Sequence, residues 1–143
     1  FILGAEGEPL PRLTGIKILA VDDEPDSLAL LEALLSPAGA EVRTASGMLD
    51  ALQLLQGWMP DILISDIGMP DGDGYEFIRR VQAQGEFNKL PAVALTAYAS
   101  SEDRMRALVA GYRMHVNKPV EPEELITIIA SLTGRLGIGV NGG

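Results

Sequence analysis

The sequence contains no cysteine, no long apolar run and no cluster of basic residues, and each of these absences excludes a class of protein. Without cysteine there is no disulfide framework, no thiolate catalysis and no zinc site built on cysteine. The longest apolar stretches, such as KILAV and LITIIASL, are too short to span a bilayer, and the N-terminus lacks the basic start and apolar core of a signal peptide. We therefore predict a soluble, cytoplasmic protein without membrane insertion.

The charge balance is acidic, with 20 acidic against 11 basic residues and a formal net charge of −9. Direct binding to nucleic acid or to an anionic membrane is disfavoured, because no basic stripe is available to follow phosphates. A chain of 143 residues with 47% hydrophobic content predicts one domain with a substantial core. The first residue is Phe rather than Met, which indicates an excised piece of a longer protein or a processed chain.

Three regions follow from composition and periodicity. Residues 1–15 carry Gly, Pro and charges without periodicity and are predicted to be a linker or arm, and residues 135–143 to be a flexible tail. In residues 16–134, strand patterns alternate five times with helical patterns. The predicted strands are IKILAV, AEVRTA, DILIS, PAVALTA and MHVN. The apolar residues that mark the helices are Leu28, Leu31, Leu34 and Leu35; Met48, Leu49, Leu52 and Leu55; Phe77, Ile78 and Val81; Met105, Leu108 and Val109; Leu125, Ile128, Ile129 and Leu132.

This alternation, with nearly all-apolar strands, predicts an α/β fold. The strands would form a doubly wound five-stranded parallel sheet that is covered by helices on both faces. Ligands of such sheets bind outside the carboxyl ends of the strands, where the strand order reverses. The residues at those strand ends are therefore the candidates for function.

Acidic, hydroxyl and basic side chains stand at the ends of these predicted strands. The set comprises Asp22 and Asp23 after the first strand, Asp66 after the third, Thr96 at the fourth and Lys118 after the fifth. Three carboxylates at one edge repel one another and must shift their pKa values or share a cation. An oxygen-only set suits a hard cation, and Mg²⁺ is the simplest choice.

The same residues favour phosphoryl transfer, in which a protein mainly supplies positioning and charge neutralisation. Asp66 stands alone at the central strand, so we interpret its carboxylate as the acceptor. Asp22 and Asp23 are better placed to hold the metal. The Thr96 hydroxyl and the Lys118 ammonium suit phosphoryl oxygens.

Each of these residues also has an ordinary explanation when taken alone. Asp22 can be a helix-capping residue, Asp66 a turn former and Lys118 a solvated charge. The DGDG segment at 71–74 is similar to a calcium loop, but the residues after it do not fit that pattern. Coincidence explains the whole set on one edge poorly, so the functional interpretation is favoured.

The set Asp22, Asp23, Asp66, Thr96 and Lys118, followed by Pro119, resembles the receiver domain of two-component response regulators. The resemblance extends over about residues 15 to 134 and includes the intervals between the residues. It implies a flavodoxin-like sheet with strand order 2-1-3-4-5. It also implies that Asp66 is phosphorylated by a phosphohistidine donor, either a sensor histidine kinase or a histidine phosphotransfer protein.

The resemblance further implies that Mg²⁺, with Mn²⁺ as an alternative, is bound by Asp22, Asp23, Asp66 and the backbone carbonyl of Gly68. Gly74 would close the loop after the acceptor.

The resemblance also gives expectations for the phosphoryl site. Thr96 and Lys118 would contact the phosphoryl group. The Lys118-Pro119 peptide bond is expected to be cis, although only about 5–6% of X-Pro bonds are. His115 departs from the family, because it stands where a switch Tyr or Phe is usual. Gly68 would leave the site open, whereas Tyr98 would shield it.

The leading hypothesis is a phosphorylated switch that controls a partner, acting as a monomer or a weak homodimer. Its arm and its last strand and helix resemble the C-terminal receiver of hybrid sensor histidine kinases. A stand-alone regulator or phosphorelay shuttle is the alternative, with a partner surface around Arg104, His115 and Glu121. An Asp-nucleophile phosphatase of the haloacid dehalogenase type and an unphosphorylated docking module fit less well.

Overall fold

The computed structural model describes residues 10–68, 74–97 and 100–135. Five strands and five α-helices alternate in these ranges, as predicted. Their bounds are β1 (Lys17–Val21), α1 (Pro25–Leu35), β2 (Glu41–Ala45), α2 (Met48–Leu55), β3 (Ile62–Asp66), α3 (Gly74–Gln82), β4 (Ala92–Thr96), α4 (Ser101–Ala110), β5 (Met114–Asn117) and α5 (Pro122–Leu132). A short 3-10 helix at Gly85–Phe87 precedes β4.

The five strands form one parallel sheet in the order β2-β1-β3-β4-β5, which confirms the predicted topology. β3 is the central strand and is hydrogen-bonded to β1 and β4. Its residues Ile62, Leu63 and Ile64 are fully buried because helices cover both faces of the sheet. The strand therefore holds Asp66, at its carboxyl end, on a rigid support.

Each face of the sheet has its own apolar core. On one face, Leu31 and Leu35 of α1 and Ile126 and Ile129 of α5 pack against the side chains that β1 and β3 direct to that side. On the other face, α2, α3 and α4 cover the alternate residues of the same strands. This alternation leaves the carboxyl ends of the strands as the uncovered edge.

α4 has well-defined ends. The Ser100 hydroxyl accepts a hydrogen bond from the backbone N–H of Asp103 at 3.1 Å and so caps its N-terminus. Gly111 ends the helix with φ 131°, a conformation that favours glycine. These caps define where α4 begins and ends.

The apolar residues that mark α4 in the sequence do not face the core. Met105, Leu108 and Val109 are 61%, 50% and 79% exposed, whereas Ala107 and Ala110 are buried. Small side chains on the inner face let the helix lie close to the sheet. None of the helices in the described ranges is long and apolar enough to cross a membrane.

Part of the predicted linker packs against the domain. Residues 1–9 lie outside the described ranges, but Leu13 is fully buried in the core beside α1 and α5. The backbone N–H of Leu13 donates to the carbonyl of Ala38 at 2.8 Å, and Arg12 donates to the carbonyl of Pro37 at 3.0 Å. Of the predicted tail, only residue 135 is described.

Candidate functional site

Three carboxylates meet at the carboxyl edge of the sheet. Asp22 and Asp23 follow β1, and Asp66 ends β3, which is the neighbour of β1. One oxygen from each of the three carboxylates lies within 4.8 Å of the others. This arrangement is chemically suited to a hard divalent cation, because all its side-chain donors are anionic oxygens.

Lys118 connects these carboxylates. Its Nζ donates to Asp22 Oδ2 at 2.9 Å and lies 3.7 Å from Asp66 Oδ2 and 3.9 Å from Glu24 Oε1. Burial acts to lower the pKa of Lys118, but the hydrogen bond to Asp22 and the three nearby carboxylates outweigh it, so the pKa is raised. The side chain is therefore a fixed positive charge at neutral pH.

Asp66 is in a different electrostatic position. Its side chain is only 13% exposed, and burial raises its pKa above the ordinary value. The Gly68 backbone N–H, which donates to Asp66 Oδ1 at 3.3 Å, and Lys118 act in the opposite direction, while Asp22 and Asp23 raise the pKa further. The charge of Asp66 is thus only partly compensated, which suits a reactive carboxylate.

Thr96 lies at the end of β4 and is buried. Its carbonyl accepts the backbone N–H of Lys118 at 2.8 Å, which holds the β5 end against the β4 end. The predicted cis Lys118-Pro119 bond is present. The structure thus brings Asp22, Asp66, Thr96 and Lys118 to one edge.

Gly74 is held directly under the acceptor strand. Its N–H donates to the carbonyl of Ile67 at 2.9 Å, and a Cβ there would lie 2.6 Å from Ile67 Cα and 2.8 Å from the carbonyl oxygen of Asp66. Only glycine allows this approach. The Tyr112 hydroxyl donates to the carbonyl of Gly74 at 2.8 Å. Sequence reasoning did not identify Tyr112, whose position before a strand gives no signal of this contact.

The carboxylates open into a cleft of about 440 Å³. Asp23, Asp66, Thr96 and Lys118 line it, and so does Arg106 of α4. The sequence analysis did not select Arg106 as a site residue. A helical residue can be assigned to the site only when the rotation of its helix is known, and the apolar residues of α4 indicate the wrong face.

Other predicted residues lie near or beyond the site. His115 is half-buried on β5, in register with Ala94 of β4, and its switch role stays a prediction. Gly68 is exposed, and a Cβ there would meet nothing within 4 Å. Tyr98 lies outside the described residues, as do positions 71–73.

A family model, the response regulator receiver domain, matches residues 18–130. The chain is 45% identical over 120 residues to an uncharacterized 14.6 kDa protein of Leptolyngbya boryana, covering 84% of this chain and 92% of that protein. It is 36% identical over 121 residues to response regulator Rre1 of Synechocystis, covering 84% of this chain and 52% of the regulator. Sensor histidine kinase CheAY of Helicobacter pylori is 33% identical over 114 residues, which are 78% of this chain and 14% of the kinase.

Solved structures show the same fold. A putative response regulator from Chloroflexus aurantiacus superposes with a TM-score of 0.80 at 34% identity, covering 84% of this chain and 98% of that one. Chemotaxis protein CheY4 of Vibrio cholerae superposes with a TM-score of 0.79 at 32% identity, covering 82% of this chain and 98% of that one. The family match, these neighbours and the carboxylate edge agree, and the chain belongs to the response regulator receiver domains of two-component signalling.

Proposed function

We propose that this receiver takes a phosphoryl group from a phosphohistidine donor onto Asp66 and thereby switches between two conformations that a partner distinguishes. The observation that carries the proposal is the meeting of Asp22, Asp23 and Asp66 within 4.8 Å, with Lys118 at 3.7 Å from Asp66. A carboxylate that only ends a strand would not need this set of charges around it.

In the proposed reaction, an oxygen of Asp66 attacks phosphorus and forms a P–O bond. The P–N bond of the phosphohistidine breaks, and its electron pair stays on the imidazole nitrogen. Lys118 and the Thr96 hydroxyl contact the phosphoryl oxygens and hold them in position. In the later hydrolysis, a water oxygen bonds to phosphorus, the P–O bond to Asp66 breaks, and the carboxylate and inorganic phosphate are released.

Asp22, Asp23 and Asp66 fit a divalent cation, and these residues, with the backbone carbonyl of Gly68, would hold Mg²⁺ or Mn²⁺. When bound, the ion supplies positive charge that neutralises phosphoryl oxygens. Lys118, which already compensates three carboxylates, adds further positive charge. The proposed reaction is therefore metal-dependent.

The test is the intact mass of the protein after incubation with acetyl phosphate or phosphoramidate and Mg²⁺. We expect the mass of one phosphoryl group on the wild type, none on Asp66→Asn, and none after chelation of the metal. Asp26→Asn, an exposed carboxylate of α1, is the matched control and should be phosphorylated normally. Unmodified wild type, or a phosphorylated Asp66→Asn, would refute the proposal.

The immediate partner is proposed to be a cytoplasmic histidine kinase or histidine phosphotransfer protein. Sensor proteins that contain a matching segment, such as GacS of Pseudomonas syringae at 34% identity over 121 residues, support the C-terminal receiver of a hybrid kinase. One observation favours a stand-alone regulator instead, because the chain covers 92% of the small Leptolyngbya protein. Reading the gene upstream of Phe1 distinguishes them: a kinase domain in the same frame supports the first, and a start codon the second.

A further inference from the structure

We propose that Arg106 is a second cationic contact of the phosphoryl group, reaching the acceptor cleft from α4 while Lys118 reaches it from the end of β5. The inference rests on the proposed function, because it assigns a further residue to the same reaction. Arg106 would hold the phosphoryl oxygens and would thereby speed the loading of Asp66.

The first argument is position. Arg106 lines the same cleft as Asp66 and Thr96. Among the described residues that line it, the cations are Lys118 and Arg106, and the acids are Asp23, Glu24, Asp66 and Asp103. These side chains leave two more negative than positive charges, which a bound divalent cation would only balance, so the cleft gains a net attraction for an anionic donor only if both side-chain cations are present.

The second argument is charge. A phosphoryl group on Asp66 carries about −1.5 to −2 charges at neutral pH. Lys118 is already shared among three carboxylates, at 2.9 Å from Asp22, 3.7 Å from Asp66 and 3.9 Å from Glu24. One ammonium cannot serve these carboxylates and also make several contacts to phosphoryl oxygens. A guanidinium presents two parallel N–H donors, which match the spacing of two phosphoryl oxygens.

The third argument is preorganisation. The Arg106 guanidinium carbon lies 4.1 Å from the centroid of the Tyr75 ring, and this cation-π contact holds the side chain at the cleft. Tyr75 is 6% exposed and follows Gly74, which is fixed against the carbonyl of Asp66. Because Arg106 is already held beside the cleft, less conformational entropy is lost when it contacts an anion.

The test compares rates of phosphorylation by acetyl phosphate in saturating Mg²⁺, followed by intact mass. We expect Arg106→Ala to be phosphorylated about 10-fold more slowly than wild type, since one charge-assisted contact is lost. Arg106→Lys should recover part of the rate, because it keeps the charge but not the planar fork. Arg79→Ala is the matched control: Arg79 is also an exposed arginine, on α3, but it does not line the cleft, and the rate of this variant should be unchanged.

Two further measurements separate a direct contact from an altered fold. Added salt should slow phosphorylation of the wild type more than that of Arg106→Ala. Salt screens the attraction between Arg106 and the anionic donor, and this attraction is already missing in the variant. Tyr75→Leu, which removes the ring beside the Arg106 guanidinium, should slow phosphorylation when introduced into the wild type but should cause no further slowing in Arg106→Ala. Arg106 is exposed, so we expect its variants to fold, and circular dichroism checks this.

The outcomes distinguish the two proposals. If the wild type and Arg79→Ala take up phosphate on Asp66 and Arg106→Ala does so at the same rate, the role of Arg106 is refuted and the proposed function stands. If Arg79→Ala is slowed as much as Arg106→Ala, the effect belongs to the general positive charge of this surface and the specific contact is also refuted. If the wild type takes up no phosphate, both proposals fail.

Discussion

At the scale of single residues, the Asp66 carboxylate is held at its position at a cost in stability. Burial raises the pKa of Asp66, and Asp22 and Asp23 add to this effect against the Gly68 N–H and Lys118. Ionising Asp66 is therefore harder in the folded than in the unfolded protein. Its contribution to stability is most favourable below the unfolded pKa of about 3.9 and decreases as the pH rises through the higher folded pKa.

We therefore expect Asp66→Asn to be more stable than wild type without metal at about pH 7. The difference should shrink as the pH falls to about 4, where the wild-type carboxyl is increasingly protonated. Urea unfolding at the two pH values measures both quantities. Asp26→Asn is the control and should change stability by no more than about 0.5 kcal/mol. A gap of the same size at both pH values would contradict the explanation.

At the scale of elements, α4 combines an alanine-lined inner face with an apolar outer face. Ala107 is 2% exposed, whereas Leu108, the next residue, is 50% exposed. The buried side of α4 therefore has little space for larger side chains. Because the same helix carries Arg106, a change in its distance from the sheet would also move a residue of the cleft.

Ala107→Leu is expected to destabilise the protein by about 1–3 kcal/mol, because extra methyl groups must displace packed neighbours. Leu108→Ala should change stability by no more than about 0.5 kcal/mol, although it changes the size of the side chain by the same three carbon atoms. Chemical unfolding of the two variants compares them directly. Equal decreases in the free energy of unfolding would mean that both faces of α4 are packed.

The site could be predicted from the sequence where it depends on strand ends. Parallel strands bring their carboxyl ends to one edge, so Asp22, Asp66 and Lys118 are close whatever the details of packing. Residues on helices lack this constraint. Arg106 and the inner face of α4 were missed because Met105 and Leu108 give a helical apolar pattern that points to solvent.

At the scale of the whole molecule, the folded unit begins before β1. Leu13 is fully buried, and its backbone is hydrogen-bonded to Ala38, so the segment from residue 10 to residue 16 is continuous with the core. Composition indicated a linker here because a single apolar residue between Gly and Pro has no periodicity. The segment joins the core through the tertiary contacts of Leu13, which its local sequence does not reveal.

Leu13→Ala should lower the free energy of unfolding by about 2–5 kcal/mol, as expected for a fully buried leucine. Leu30→Ala is the matched control, since Leu30 is 51% exposed on α1, and its loss should be much smaller. Thermal or urea unfolding provides the comparison. Similar small effects of both substitutions would show that the segment does not contribute to the core.

Divalent cation binding should also stabilise the molecule as a whole, since the three carboxylates are assembled only in the folded state. Free Mg²⁺ at 100 times its Kd should add about 2.7 kcal/mol to the free energy of unfolding. The melting temperature of the wild type should rise with Mg²⁺, whereas that of Asp23→Asn should rise less. The same shift in both proteins would contradict a site that includes Asp23.

The position of Leu13 beside Ala38 has a practical consequence for attaching a label or a tether to the protein. This segment leads into the sheet at the starting edge of β1, and five residues of strand, about 16 Å, separate that edge from the one that carries Asp66. A fluorescent tag or surface tether joined near residue 10 would therefore leave the molecule on the side away from Asp66. Immobilised in this way, the receiver would present the edge that carries Asp66 to the solution.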